Sequence, residues 1–508
     1  MRQFSAQTRE IGLGRMAEDE FDVLVIGGGI TGAGIALDAA ARGFSVALVE
    51  KDDFAAGTSG RSSRLVHGGL RYLEQGEFGL VRESLRERGI LRRLAPHLVR
   101  PVPMYLLAGD RRGRARYRLG LTAYEALAAG RNVGYHRPVS AAQVAAAIPG
   151  LGGSPRGVRY FECGVDDARL TIEVARTAQA YGAVLANHAR VTRLLGGDRV
   201  TGAAVTDEMT GQRFEVRARA VVNAAGVWAG RVAGLAGGVT EGVRLRPSKG
   251  VHLVFAPGAV RTTAATVAPS AADDGRFVFI VPWEDRVYAG TTDTPYPGDL
   301  DHPAVEQADR DYVLAAVSGL FPGVTERDVV ASWAGLRPLL ASDNARTSDL
   351  SRRHAIFAGP AGLFTITGGK LTTYRAMAED LVDRLAAALG GASGCRTRQI
   401  PLGLHGSAAA AVRLAREEVT RLGLPPRTAA RLVQRYGDDW REAARLIGAD
   451  RSLGEPLARG LPVLAVEAVL ARSREMALTD EDVLARRTRL TTRDGSLGLT
   501  ASGGHPRE

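Results

Sequence analysis

"FDVLVIGGGITGAGIALDAAARGFSVALVEKDD", residues 21–53, decides the fold. Val23 to Ile26 form a short apolar run, the pattern of a parallel strand buried on both faces. Gly27, Gly29 and Gly32 follow at G-x-G-x-x-G spacing, with Gly28 between the first two. An alanine-rich helix then runs to about Arg42, and "SVALVE" supplies a second strand ending at Glu50, 18 residues beyond Gly32. Each part answers a physical need. The glycines let backbone approach a pyrophosphate, and the free N–H groups at the helix start, around Ile30 and Thr31, carry partial positive charge toward it. Glu50 suits a ribose hydroxyl and repels a 2′-phosphate. A lone glycine fingerprint is weak, but strand, helix, strand and acid in this order point to a dinucleotide site. The fingerprint alone does not separate FAD from NAD.

The rest of the chain bounds what that site can belong to. With 508 residues, 45% hydrophobic and 24% charged, two to four soluble globular domains are expected. No run of 18 apolar residues exists, which excludes a spanning helix. Residues 1–20 lack the apolar stretch and cleavage-like site of a secretory signal and read as a flexible arm. Cys163 and Cys395 are too few for a disulfide framework or a metal cage, so no metal and a reducing cytoplasm are expected. The net charge is +11, yet only Lys51, Lys249 and Lys370 among the 66 basic residues are lysines. Such arginine dominance beside abundant alanine and glycine is a compositional bias and does not indicate nucleic acid. It makes the lysines conspicuous, because a compact ammonium and a planar fork are not interchangeable in a tight site.

Downstream, "AAGTSGRSSRLVHGGLRY" (55–72) is dense in hydroxyls, and Thr58, Ser59, Ser62 and Ser63 suit a phosphate or a flavin edge. An amphipathic helix follows, with Leu80, Ser84, Leu85, Leu91 and Leu94 on one stripe and Pro96 beyond its end. "NAAGVW" (223–228) closes an apolar strand and offers a second place where backbone can meet a cofactor. Residues 246–340 are strand-rich, and "TGGKLTTY" (367–374) sets Gly-Gly-Lys at a helix start. Beyond a link at 391–408 the pattern is helical to about 490. The expected fold is therefore α/β in three parts. A Rossmann-like nucleotide-binding domain takes 21–100, 155–245 and 340–390. A mixed-sheet α+β substrate domain takes 101–154 and 246–339, and an all-helical C-terminal domain takes 391–508.

The motifs "GGGITGAGIALDAAARG", "SSRLVHGGLRYLE", "VDDARL", "VNAAGVW", "GTTDTPY", "GLRPL" and "GGKLTTYR" occur in this order. On them the chain resembles the FAD-dependent glycerol-3-phosphate dehydrogenases, the membrane-associated, quinone-reducing branch of the D-amino-acid-oxidase-like flavoproteins. The resemblance spans about residues 21–390, and "LTDEDVLARRTRL" looks like that family's C-terminal domain. It implies oxidation of sn-glycerol 3-phosphate to dihydroxyacetone phosphate, hydride passing to FAD and electrons on to a membrane quinone. It also implies a cytoplasmic enzyme, peripheral on the inner membrane face, for which a homodimer is compatible.

The cofactor-binding residues so implied are Gly27, Gly28, Gly29, Ile30, Thr31, Gly32, Glu50, Thr58, Ser59, Ser63, His67, Gly68, Gly69, Leu70, Ala225, Gly226, Trp228, Gly369, Lys370, Leu371 and Thr372. Oxidising a secondary alcohol needs a proton acceptor, a group that stabilises developing negative charge on oxygen, and a grip on the dianionic phosphate. His67 or His252 is the candidate base, and Lys370 the candidate to stabilise the negative charge on oxygen or on the reduced flavin. Arg71, Tyr72, Arg337 and Arg352 are candidate substrate anchors with Lys370, since arginine grips phosphate with two prongs. Asp166 and Asp167 are read as caps or turn residues, and Asp293 as a turn or support residue. "DRRGRARYRLGLTAYEALAAG" mixes five arginines with Leu119, Leu121, Tyr124 and Leu127, a pattern suited to an anionic lipid surface. A glycerol-phosphate oxidase using O2, an amine or hydroxy-acid oxidoreductase, and a flavin-fold binding module without turnover stay open as alternatives.

Overall fold

The structure, a computed structural model, describes residues 3–153, 155–236, 243–270, 272, 276–341 and 354–497. Two sheets organise them, and the quoted stretch sits at the heart of the first. Strand Glu20–Ile26 lies between Val46–Val49 and Arg213–Asn223 and runs parallel to both. Val23 to Ile26 are buried, as a strand covered on both faces requires. Val184–Ala186 extends the sheet on one side and Leu363–Gly368 on the other, with antiparallel His354–Ala358 at that edge. The helices Ile30–Ala41, Asp167–Ala180 and Tyr374–Leu389 pack together over this sheet and share its largest core. A right-handed connection of strand, helix and parallel strand is what a Rossmann-like domain consists of.

The second sheet is mixed and has ten strands. Ser248–Phe255, buried at every position, pairs antiparallel with Arg286–Gly290 and Val329–Arg337. The sheet continues through Phe277–Trp283 and Ala265–Pro269 to Arg100–Ala108 and Arg156–Gly164. Helix Gln307–Leu320 covers one of its faces. Arg156–Gly164 and Leu65–Val66 lie inside the ranges 155–245 and 21–100 that the sequence reading gave to the nucleotide-binding part. Both are hydrogen-bonded into this second sheet instead. The hydroxyl-rich stretch thus leaves the first sheet and ends in the second, so it spans the space between them.

Past residue 407, helices Ala408–Arg421, Arg427–Tyr436, Trp440–Ala449 and Ala465–Arg474 build a separate core. A single π-helical turn, Asp482–Arg487, then leads back to the other two parts. The amphipathic helix is Phe78–Leu94, with Leu80, Ser84, Leu85, Leu91 and Leu94 all buried.

The flexible arm expected at 1–20 is instead a helix, Ala6–Glu18. Ser5 and Thr8 form a reciprocal cap at its start. Arg9 is buried and donates to the Asn187 carbonyl at 2.9 Å and to Asp207. Phe4 packs on Phe54 with ring centroids 5.5 Å apart. The segment lacks a strong apolar stripe, and its anchoring through buried Arg9 together with Met16 is invisible to periodicity.

Candidate active site

The fingerprint forms as expected. Helix Ile30–Ala41 begins directly after Gly27 to Gly29. Gly27 has φ +116°, and a Cβ on Gly32 would fall 1.9 Å from the Gly27 carbonyl oxygen. Side chains at these two positions would close the helix start, so the glycines leave bare backbone where an anionic phosphate can approach. Glu50 directly follows the second strand, Val46–Val49, and its carboxylate accepts the Gly28 amide at 2.6 Å and the Asp52 amide at 2.9 Å. Burial pushes the Glu50 carboxyl above its ordinary value, and these two amides offset part of the rise.

Around this start lies a cavity of about 800 Å³ lined by residues from both sheets. It takes in Gly27, Gly29, Ile30 and Thr31, then Glu50, Thr58, Ser59 and Ser63, then His67, Gly69 and Leu70. Ala225, Gly226 and Trp228 line it from the second glycine bend, and Gly369, Lys370, Leu371 and Thr372 from the late one. Gly28, Gly32 and Gly68 do not line it and sit behind the wall, where they allow close packing. The hydroxyls are partly used by the protein itself. Thr58 donates to the Leu336 carbonyl at 2.5 Å, tying the loop to the second sheet, and Ser59 Oγ accepts the Ile30 amide at 2.9 Å. Thr372 Oγ1 accepts the His67 amide at 3.3 Å, which joins two glycine-rich motifs about three hundred positions apart in sequence.

At the far side of the same cavity stand Arg71, Tyr72, His252 and Arg337. Arg337 closes strand Val329–Arg337 and is fixed on several sides. It donates to Asp293 at 3.2 Å, Ser248 Oγ at 3.4 Å, Thr291 Oγ1 at 3.0 Å and the Thr292 carbonyl at 3.2 Å. Asp293 thus supports the guanidinium. Lys370 donates to Ser84 Oγ at 3.3 Å and lies over the Tyr72 ring, 4.0 Å from its centre. Lys249, by contrast, ends in ion pairs with Glu306 and Asp309. Arg71 is half-buried and makes no hydrogen bond or ion pair among the described residues. Arg352 lies outside the described residues.

His252 is buried, its Nε2 is 2.9 Å from Ser63 Oγ, and its ring stacks on Trp333 at 4.6 Å. Arg64 lies over the same Trp333, 4.5 Å from the ring centre. Burial first, then the positive charges of Arg337 and Arg64, hold His252 well below the ordinary histidine range. It is therefore a neutral imidazole at neutral pH.

Two features escaped the sequence reading. Arg276 lines the cavity and donates to the Asp293 carbonyl at 2.8 Å, so it braces the loop that supports Arg337. Nothing in its local pattern marks it among 63 arginines. Asp53, His188 and Asp482 also come together closely enough to suggest a cation site. Arg486 and Arg487 occupy Asp53, and Arg486 also occupies Asp482, so the cluster is an ion-pair network.

Comparison with known proteins adds the identity. Residues 22–384 match the family model described as FAD dependent oxidoreductase, and residues 395–503 match the C-terminal domain of alpha-glycerophosphate oxidase. The chain is 42% identical over 491 residues to glycerol-3-phosphate dehydrogenase 2 of Mycobacterium bovis, covering 95% of this chain and 83% of that protein. This chain belongs to the FAD-dependent glycerol-3-phosphate dehydrogenase family. Another relative, the aerobic glycerol-3-phosphate dehydrogenase of Staphylococcus haemolyticus, is 39% identical over 509 residues, 95% of this chain and 89% of the relative. Among solved structures, the glycerol-3-phosphate dehydrogenase of Bacillus halodurans complexed with FAD superimposes with a TM-score of 0.78 at 33% identity. That likeness covers 97% of this chain and 91% of the other. As a member of this dehydrogenase family the protein takes FAD, and the bare helix start with Glu50 beside it fits the cofactor's pyrophosphate and ribose.

Proposed function

We propose that the protein oxidises sn-glycerol 3-phosphate to dihydroxyacetone phosphate and passes the electrons on to a membrane quinone. The observation that carries this reading is one cavity lined both by the glycine-rich helix start and by three cations, Arg71, Arg337 and Lys370. The names of the relatives support the substrate.

Bound FAD supplies the hydride acceptor. The chain supplies the rest. Arg71 offers an uncommitted fork on the cavity wall for the dianionic phosphate, with Tyr72 beside it. Arg337 is held in one orientation by its bonds to Asp293, Ser248 and the Thr291–Thr292 segment, so it meets a substrate oxygen without reorganising. Lys370, confined over Tyr72, places a point charge where negative charge develops on oxygen. Neutral His252 is the assigned acceptor of the hydroxyl proton, its Nε2 set against Ser63. The dianionic substrate at Arg337 offsets part of the positive charge that otherwise disfavours the protonated ring. His67 contributes its backbone and its place in the wall. Replacing His252 and His67 singly by Gln tests the assignment. Turnover falling only in His67→Gln would overturn it.

The quinone and membrane parts rest on the rim. Helix Arg111–Leu127 supplies Arg116, Tyr117 and Gly120 to the cavity lining while Leu119 is 75% exposed, and nearby Phe78 is 56% exposed. Arginines beside exposed apolar side chains favour an anionic bilayer, on the cytoplasmic face in this reading. No helix among the described residues is long and apolar enough to cross a membrane. Sedimentation with anionic liposomes at low and high salt tests the docking. A second reading, O2 as acceptor, draws on the oxidase name of the C-terminal family model. Peroxide yield under air with and without quinone separates the two.

A further inference from the structure

The loop after the second strand, residues 50–63, brings Glu50, Thr58, Ser59 and Ser63 to the cavity. Besides its ties to Leu336 and Ile30, that loop is held from the opposite end of the chain. Asp53, fully buried, accepts from Arg487 Nη1 at 2.5 Å and Nη2 at 2.9 Å and from Arg486 Nε at 2.6 Å. Asn187 Nδ2 adds a further bond at 2.9 Å. A few residues on, Arg489 donates through Nη1 to the Gly60 carbonyl at 2.9 Å and through Nη2 to Asp167. The other oxygen of Asp167 accepts both the Ser62 amide at 2.8 Å and the Ser62 hydroxyl at 2.7 Å. Arg486, Arg487 and Arg489 are buried, and none of them lines the cavity.

Burial disfavours a carboxylate unless well-aligned cations and hydrogen bonds compensate it. Paired forks supply that compensation with fixed geometry. Without the arginines, Asp53 and Asp167 would keep only neutral hydrogen-bond donors and would be buried negative charges without an ion-pair partner under the loop that must receive an anionic pyrophosphate. The loop would open to hydrate them and give up its cavity-facing form. Burial alone would raise the Asp53 carboxyl, yet Arg487 and Arg486 hold it below its ordinary value, so the charged form is the one the fold uses.

We propose that Arg486, Arg487 and Arg489 are a clamp by which the C-terminal domain sets the affinity for FAD, acting as positioning residues for the 50–63 loop. The proposal rests on FAD being the cofactor and is independent of substrate and electron acceptor. Linkage makes it reciprocal: whatever factor the docked segment adds to FAD affinity, FAD adds to docking of the segment.

The test uses the full-length protein stripped of FAD. Amide hydrogen exchange is measured with and without added FAD, and FAD is titrated by flavin fluorescence into wild type and Arg489→Asn. Asparagine tolerates the left-handed backbone of residue 489, φ +63°, while removing the fork. Expected are slower exchange across 482–493 on FAD binding, no comparable change in the outer helix Ala408–Arg421, and FAD binding weaker by about tenfold or more in the variant. Should Arg489→Asn not fold, the wild-type exchange decides alone. Unchanged exchange at 482–493, equal slowing in Ala408–Arg421, or wild-type affinity in a folded variant would each overturn the clamp.

Discussion

The cavity and the C-terminal junction both depend on arginine, and they use it in opposite ways. In the cavity, Arg71 has no bound partner among the described residues, and Arg337 is steered by neutral hydroxyls and one carbonyl besides Asp293. At the junction, Arg487, Arg493 and Arg169 are fully buried and matched to Asp53, Asp285 and Glu475. Arg71 keeps its fork for a ligand, whereas the junction cations are paired with carboxylates inside the fold. Residue type alone does not distinguish the two, and composition even less.

Substitutions can break that comparison. The largest effect is expected from Gly32→Val, whose side chain must meet the Gly27 carbonyl. The purified protein should be colourless, with no flavin absorbance after reconstitution. Next is Arg337→Ala, for which kcat/KM on glycerol 3-phosphate should fall by about 10²–10³-fold while the protein stays folded and yellow. Lys370→Ala should behave alike, and full turnover in both would misplace the substrate site. Arg487→Ala should act on the other region first, lowering stability by about 3–5 kcal/mol because Asp53 keeps a buried charge with less compensation. Denaturant unfolding measures it.

The pH dependence should also separate the two regions. Against the pull of burial, the junction arginines depress the Asp53 and Glu475 carboxyls. A depressed carboxyl gives stability that is full above its unfolded value near pH 4 and is lost as pH falls toward the lowered folded value. Unfolding monitored below about pH 4 should therefore start at the junction and release FAD. His188 runs the other way and more weakly. Although burial opposes it, Asp482 at 3.0 Å raises its folded value, so its contribution is present below the ordinary value of about 6.5 and fades as pH rises past the folded one. A small loss of thermal stability on the alkaline side, absent in His188→Gln, checks this.

How legible each region was in the sequence follows the same division. The strand, glycine bend, helix and second strand of residues 20–50 are legible because they are local and fall within some thirty residues. As the lead into a helix that lines the same cavity, "TGGKLTTY" is legible for a similar reason. The junction is not. Asp53 and Arg487 are 434 positions apart, and nothing in "EDVLARRTRL" names its partner. Asp166 shows the limit most clearly. Read as a cap, it does accept the Arg169 amide at 3.2 Å, but it also accepts Arg489 and Arg435 from the C-terminal part. The N-terminal helix is not legible because Arg9 and Met16 anchor it without a continuous apolar stripe. Strand Arg156–Gly164 was placed in the wrong part since periodicity identifies a strand without naming its sheet.

The most direct test of the central claim, one cavity serving FAD and a phosphorylated polyol, is anaerobic mixing of the FAD-loaded protein with sn-glycerol 3-phosphate while the flavin band is recorded. The expected result is rapid bleaching of that band by glycerol 3-phosphate and none by glycerol at equal concentration. A band that stays unchanged with glycerol 3-phosphate, or that bleaches equally with unphosphorylated glycerol, would contradict it.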